Sequence, residues 1–265
     1  MMVKTCDLDL RKLNSITKYP AIPTYHAIDP KNGLLLEHTL VTLQGDLVAT
    51  EKIDGTNVRI ILLPDHMFVL ASREELLYAR GDLIGNDSMG IVSATKNLAE
   101  DMLLRYEYWL LKAVTVVYAE LYGGNIGGSG KSFQQYTTKK KHGLRIFDIA
   151  IFFDKQFLEL FEWPLEKFST WRENGGQPYF EEEELLLFTT KLGFEVTPRI
   201  SIGPIPITIK DTLTFLKESI PQSFCALDDS APANSEGLVI RSKNRKTIAK
   251  LRFEDYERTL KRRRK

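Results

Sequence analysis

The chain has few of the residues that build covalent or metal frameworks. Two cysteines, Cys6 and Cys225, occur in 265 residues, too few for a disulfide framework or a thiolate zinc set and in keeping with a reducing compartment. The four histidines, His26, His38, His66 and His142, are scattered without metal-ligand spacing. No apolar run approaches the roughly 20 residues of a membrane span. The start, MMVKTCDLDLRKLNS, lacks the apolar centre of a signal peptide. These absences point to a cytoplasmic or nuclear protein with no membrane attachment. Repeats and low-complexity tracts are absent as well.

What is present is ordinary in bulk and uneven in detail. Hydrophobic residues make up 43% and charged residues 27%, the balance of a soluble globular chain. The net charge of +1 conceals three basic clusters, KKKH (139–142), RSKNRK (241–246) and KRRRK (261–265), set against an acidic EEEE (181–184). Most charge runs are solvated faces. Three basic clusters in a near-neutral chain still allow a local groove for nucleic acid.

Residues 1–48 mix turn signals (KYPAIPTYHAIDPKNG) with a strand-like piece, HTLVTLQGDLV. Strands are expected at about 47–52 and 58–63. Over 95–114, the spacing of Leu98, Met102, Tyr106, Trp109, Leu110 and Ala113 predicts a helix with one buried face. Strand-like runs follow at 115–123, 144–153 and 237–242. Between the last two lie a helix over 181–193, acidic at its start and closed by glycine, and another over 211–220 with Asp211 as N-cap. Strands from distant segments with helices inserted predict an α+β fold on antiparallel sheet.

One stretch stands out. ATEKIDGTNVRIILL (49–63) reads as strand, turn, strand, with Asp54-Gly55 as a hairpin turn. Lys52 ends the first strand, where a hairpin needs no ammonium group. A solvated strand-end charge is the ordinary explanation. A nucleophile aimed by a rigid strand end is the sharper one. A free lysine has a pKa of about 10.4, so a nucleophilic lysine needs cations or burial around it to shed its proton.

A second stretch misleads. YGGNIGGSGKS (122–132) nearly spells a phosphate-binding G-x-x-x-x-G-K-[ST] loop, but Asn125 stands where the first glycine belongs. The polar FQQYTTKKKHG that follows is no apolar helix to carry a phosphate at its N-terminus. A flexible glycine loop is the better description.

Four more segments could support Lys52. VYAELYG sets Glu120 in a strand, RIFDIAIF presents Phe147 before Asp148, and SEGLVIRS puts Glu236 at a strand start. IAKLRF places Lys250 and Arg252 two apart and so on one strand face. Each has a bland alternative: a surface acid, a core phenylalanine, a solvated strand face.

Taken in order, Lys-x-Asp-Gly, a strand glutamate, Phe-Asp-Ile, Glu-Gly-Leu-Val-Ile and Lys-x-Arg resemble the motifs of the covalent nucleotidyltransferase superfamily of ligases and capping enzymes. The finer pattern EKIDGTN, with Glu51 and Asn57 around the lysine, is similar to the RNA ligase 2 family, as are KYPAIPTYH upstream and SREE with Arg73. The resemblance spans roughly residues 15 to 253. It implies a single nucleotidyltransferase domain over 1–265, built of antiparallel sheets with flanking helices. Its motifs span 51–252, with a basic tail at 261–265.

The implied reaction is ATP-dependent joining of RNA 3′-hydroxyl and 5′-phosphate ends through lysyl-AMP on Lys52, by a protein acting as a monomer on nicked duplex or single-strand ends. In that scheme Glu236 holds Mg2+ or Mn2+, and Phe147 stacks on adenine. Glu120 and Arg73 contact ribose and phosphate, and Asn57 contacts phosphate or a metal-bound water. Main-chain groups of Glu51 and Ile53 read the adenine edge, while Lys250 and Arg252 supply positive charge. Two features depart from the family pattern. Arg252 stands where lysine is usual, which keeps the charge but changes its geometry. The sequence also ends at Lys265, leaving no room after Arg252 for an oligonucleotide-binding barrel. A minimal DNA ligase and a GTP-dependent guanylyltransferase are the rival readings.

Overall fold

Within T-N-V-R-I-I-L, residues 56–62, Val58, Ile60 and Leu62 alternate with Asn57, Arg59 and Ile61. Such a strand buries both faces if each meets its own core. In the computed structural model, which describes residues 4–81, 84–105, 113–124, 126, 133–138 and 141–263, it does. This strand, β4 (Thr56–Leu62), lies third in a five-stranded antiparallel sheet with β5 (Phe68–Ser72), β6 (Leu76–Ala79), β7 (Ala113–Gly123) and β8 (His142–Phe153), in the order β6-β5-β4-β7-β8. Val58, Ile60, Leu62, Val117, Ala119 and Leu121 pack with Met102 of the helix Ile91–Arg105 and Leu185 of the helix Glu182–Leu192. On the other face, Ile61, Val114, Val116 and Tyr118 pack with Leu13 of the helix Leu10–Thr17, Phe157 of Asp154–Phe161 and Phe168 of Lys167–Glu173.

These elements belong to one compact unit, drawn from Met1–Ala21, Gly55–Gly130 and His142–Val196. A fully buried Leu, Ile or Phe contributes about 1.5–3 kcal/mol, against about 0–1 for an exposed ion pair such as Lys18–Glu74. The two apolar layers therefore dominate its stability. Arg59 is the exception inside them: it is fully buried and donates to Ser72 O, Asn14 O, Asn14 Oδ1 and Thr17 Oγ1. Burial lowers its pKa to about 10.

The second unit takes in Ile22–Asp54, Lys131–Lys141 and Thr197–Lys265. Its four-stranded antiparallel sheet runs β11 (Ile248–Arg252), β10 (Gly237–Ser242), β3 (Leu47–Lys52), β9 (Arg199–Ile200), and β1 (His26–Ile28) pairs separately with β2 (Leu35–Thr39). Ala49, Leu238, Ile240, Ala249 and Leu251 pack with Phe215 and Leu216 of the helix Ile209–Ser219 and Tyr256 of the helix Phe253–Arg263. The α+β fold with antiparallel sheets matches the sequence expectation, and no described helix is long and apolar enough to cross a membrane.

Several local expectations change. Lys52 is not at a hairpin tip, because β3 pairs with β10 and β9 whereas β4 pairs with β5 and β7. Gly55 serves a close approach instead: a Cβ there would lie 2.6 Å from Leu121 O and 2.9 Å from Glu120 Cγ. The helix expected to reach 114 begins at Ile91, and Ala113 and Val114 already belong to β7, as the β-branched run Val114–Val117 favours. Tyr106, Trp109 and Leu110 lie outside the described residues.

The N-cap of the helix over 209–219 is Thr208, whose hydroxyl accepts Asp211 N–H, so Asp211 sits one turn in. Residues 40–46 are no strand. The expected basic tail starts inside a helix, because Lys261, Arg262 and Arg263 form the last turn of Phe253–Arg263, and Arg263 pairs with Glu37. In RSKNRK, Arg241 is buried. Residues 125 and 127–132 of the glycine loop, and Lys139 and Lys140 of KKKH, lie outside the described residues.

Candidate active site

In the second unit, sheet register places the charges. Lys52 on β3 pairs with Gly237 on β10, and Gly237 pairs with Arg252 on β11. Paired residues share a face, and adjacent strands run about 4.8 Å apart. Lys52 and Arg252 therefore rise from the same face about 10 Å apart across a residue with no side chain. The next row is Thr50, Val239 and Lys250. Lys250 is further held by its main chain, which accepts from Tyr25 N and donates to Pro23 O.

Glu236, one residue before β10, brings its Oε2 to 2.6 Å from Lys52 Nζ, with about a quarter of each side chain exposed or less. Burial pushes the Glu236 carboxyl above its ordinary range, and the charge of Lys52 only partly offsets this. Asp54 is raised for the same reason, again opposed by Lys52 and by Arg252. Each of these carboxylates raises or is raised within one shared patch, since Asp54 also pushes Glu236 upward.

Gly237 is the residue the arrangement requires. Its φ is +148°, and an added Cβ would overlap the carbonyl oxygen of Leu251. Arg252 is not an open cation. Its Nε and one terminal nitrogen donate to both oxygens of the buried Asp255, each at 2.8 Å, and that carboxylate raises its pKa. Asp255, three residues on, lies in the following helix Phe253–Arg263, outside any strand pattern.

Glu51 is 1% exposed. Its carboxylate accepts the Ser223 hydroxyl and, at 2.9 Å, the Phe224 N–H, while its own N–H donates to Pro198 O. That N–H, one of the main-chain groups of Glu51 and Ile53 among which an adenine reader is expected, is therefore engaged. Ile53 is buried at 3% exposure.

Four other expected residues lie in the first unit. Asn57 on β4 pairs directly with Glu120 on β7, so both stand on the Tyr118 face of the sheet. Asn57 Oδ1 is buried and has no hydrogen-bond partner among the described residues. Phe147 stands on that face at a bulge: Tyr118 pairs with Asp148, but Ala119 pairs with Ile146, so Phe147 has no direct ladder partner. A bulge places two consecutive residues on one side of the sheet. Tyr19 stands edge-on to the Phe147 ring, with centroids 5.0 Å apart and planes at 90°, and donates its hydroxyl to Asp148 at 2.7 Å. Arg73 follows β5 directly, mostly exposed and 3.5 Å from Glu74.

As a donor set, two desolvated carboxylates suit a small divalent cation, which takes one or two protein carboxylates and completes its shell with water and phosphate oxygens. No group of three or more His, Cys, Asp or Glu among the described residues forms a dedicated cage. The pair fits a cation that also takes phosphate oxygens as ligands.

No curated protein matches the chain. Among solved structures, a mutant RNA ligase of Naegleria gruberi with ATP and manganese superposes with a TM-score of 0.51 at 15% identity, over 82% of this chain and 52% of that one. The same organism's RNA ligase with pyrophosphate gives 0.51 at 15%, over 83% and 53%. An archaeal ATP-dependent RNA ligase gives 0.50 at 15%, over 90% and 49%. At such identities the likeness is one of fold, and the chain spans about half the length of these relatives. The profile of the RNA ligase family matches residues 45–259, and the chain belongs to the RNA ligase family.

Proposed function

We propose that the protein is an ATP-dependent ligase of the RNA ligase 2 type that joins a 3′-hydroxyl to a 5′-phosphate in RNA. The observation that carries this reading is the row Lys52–Gly237–Arg252 with Glu236 against the lysine amine. In the first step the neutral Lys52 Nζ attacks the α-phosphorus of ATP. The N–P bond forms, the bond to the bridging oxygen breaks, pyrophosphate leaves and Nζ loses its remaining extra proton. A 5′-phosphate oxygen then displaces the lysine, and a 3′-hydroxyl finally displaces AMP.

Lys52 starts paired with Glu236, so the amine must exchange that partner for the nucleotide. A divalent cation on Glu236 supplies charge neutralisation at the phosphate. Glu236, with Asp54 beside it, would hold that cation, and its desolvated carboxylate favours whichever positive charge is nearest. Lys250 and Arg252 add positive charge on the same sheet face, Arg252 fixed in direction by Asp255. Phe147 stacks on the adenine from its bulge. Glu120 and Arg73 meet the ribose and adjoining phosphate. The unpartnered Asn57 Oδ1 fits a water or hydroxyl donor. RNA with nicked or free ends is the substrate, its phosphates met by exposed basic residues such as Lys261 and Arg262.

The test is incubation with labelled ATP or GTP and Mg2+ or Mn2+, followed by intact mass. AMP covalently bound to the wild type and absent from Lys52→Ala is the expected result. The variant still seals RNA supplied with a pre-adenylated 5′ end. Labelling by GTP alone, or undiminished labelling of Lys52→Ala, overturns the reading.

A further inference from the structure

We propose that Tyr136 is a positioning residue for lysine adenylation, holding the main chain beside Lys52 through its phenol oxygen; this rests on the ligase reading above. Tyr136 lies in the short helical turn Phe133–Tyr136, far from Lys52 in sequence, and is fully buried. Its hydroxyl oxygen accepts the N–H of Asp54 at 2.7 Å, two residues past the nucleophile. Neighbouring Gln135 donates its side-chain amide to Asp54 Oδ2 at 3.4 Å. Burial pushes the phenol pKa far up, so the oxygen stays a neutral hydroxyl across the working range.

The turn is itself fastened. Tyr136 O accepts Leu227 N–H and Gln135 O accepts Ala233 N–H, each at 2.7 Å, and Ser223 N–H donates to Ala233 O at 2.8 Å. Ser223 and Phe224 hold the Glu51 carboxylate. Asp228 adds a second fastening, accepting Thr137 Oγ1 and Thr138 N–H at 2.8 Å each and Thr138 Oγ1 at 3.0 Å. The result is a closed ring of contacts that grips the chain on both sides of Lys52, through Glu51 before it and Asp54 after it.

Geometry of this kind matters most where a nucleophile must meet phosphorus in line, since a displacement of about 1 Å can cost on the order of a hundredfold in rate. A phenol used only to satisfy a buried N–H would act on every step alike. A phenol that aims Lys52 acts on the step in which Lys52 is the nucleophile and not on the sealing of pre-adenylated RNA.

The experiment compares wild type, Tyr136→Phe and Asp228→Ala in single-turnover lysine adenylation across ATP concentrations and in sealing of pre-adenylated RNA. Expected for Tyr136→Phe is an adenylation rate at saturating ATP reduced about tenfold, an unchanged KM for ATP, and sealing at the wild-type rate, as for a lost hydrogen bond with some misplacement. Asp228→Ala, which loosens the ring away from Lys52, shows a smaller loss in the same step only. An unaltered adenylation rate, or equal losses in both steps, overturns the positioning role while leaving the ligase reading intact. If Tyr136→Phe fails to fold, Asp228→Ala decides by the same criterion. A wild type that takes up no AMP overturns both readings.

Discussion

The two units place their candidate site residues by different means. In the second unit, Lys52, Gly237 and Arg252 occupy one register row, and a glycine that tolerates φ +148° keeps the row open. In the first, Asn57 and Glu120 also share a row, but a bulge in β8 sets Phe147 beside Asp148 on their face with no ladder partner of its own. Register fixes where a charge stands to within a strand spacing. A bulge changes which way one side chain faces, at the expense of a broken ladder, and needs neighbours to hold it. Tyr19, anchored by Asp148, is such a neighbour. The charged residues are thus set by the backbone, the aromatic one by its packing, and substitutions should separate the two.

The largest effect is expected from breaking the charged row. Glu236→Ala removes the carboxylate beside Lys52, and adenylation should fall by at least about a hundredfold with a weakened response to added Mg2+ or Mn2+, as for loss of a charge-organising group in phosphoryl transfer. Gly237→Ala leaves every charge in place but forces a Cβ into the Leu251 carbonyl. Strained backbone of this kind costs about 1–3 kcal/mol, and the variant should lose stability and adenylation together. Denaturant unfolding beside the adenylation assay checks both. A Gly237→Ala protein with wild-type stability and rate would mean that the open row is incidental.

On the aromatic side a smaller, different change is expected. Phe147→Ala should raise the KM for ATP about tenfold, the value of a stacking contact of roughly 1–1.5 kcal/mol. Phe147→Tyr should restore it. Sealing of pre-adenylated RNA measured alongside tests whether the platform also serves the adenylate. A change in the maximal rate with unaltered KM would place Phe147 among the core residues instead.

This contrast also marks what could be read in the sequence. The strand β10 and the strand end at Lys52 were legible, because the apolar run in GLVIRS, the alternation into Lys52 and the Glu-Gly and Lys-x-Asp-Gly patterns are local. The helix over Glu182–Leu192 was legible from its acidic start and from Gly193 in the left-handed conformation at its end. Pairing was not. Asp54-Gly55 looked like a hairpin turn because Asp-Gly usually makes one, yet its neighbours join different sheets. Only the distant β7 explains Gly55. Helices at 154–161, 167–173 and 253–263 escaped because they follow strands or loops without strong start signals, two of them lacking a side-chain cap. Arg252 is legible as a charge on the Lys250 face, but its partner Asp255 lies just beyond that strand, in the following helix. Tyr136 carried no signal at all, since its contact with Asp54 spans chain segments that nothing local connects.

The finest test bears on the carboxylates that crowd Lys52. Burial raises the Glu236 pKa in the folded protein, so the fold binds this proton more tightly than the unfolded chain does. By linkage, the contribution of Glu236 to stability then falls as pH rises from the ordinary carboxylate range through the raised value. Glu236→Gln removes the titrating group while keeping its shape. Subtracting the variant's unfolding free energy from that of the wild type at each pH isolates the contribution. The difference should decline with rising pH over that window and level off above it. A difference that rises instead would mean that the Lys52 ammonium outweighs desolvation and holds Glu236 below its ordinary range. The carboxylate would then be held chiefly as a partner for Lys52, and a divalent cation would have to displace a strong ion pair to reach it. The sign of one slope thus separates a desolvated carboxylate ready for a cation from one already satisfied by the nucleophile.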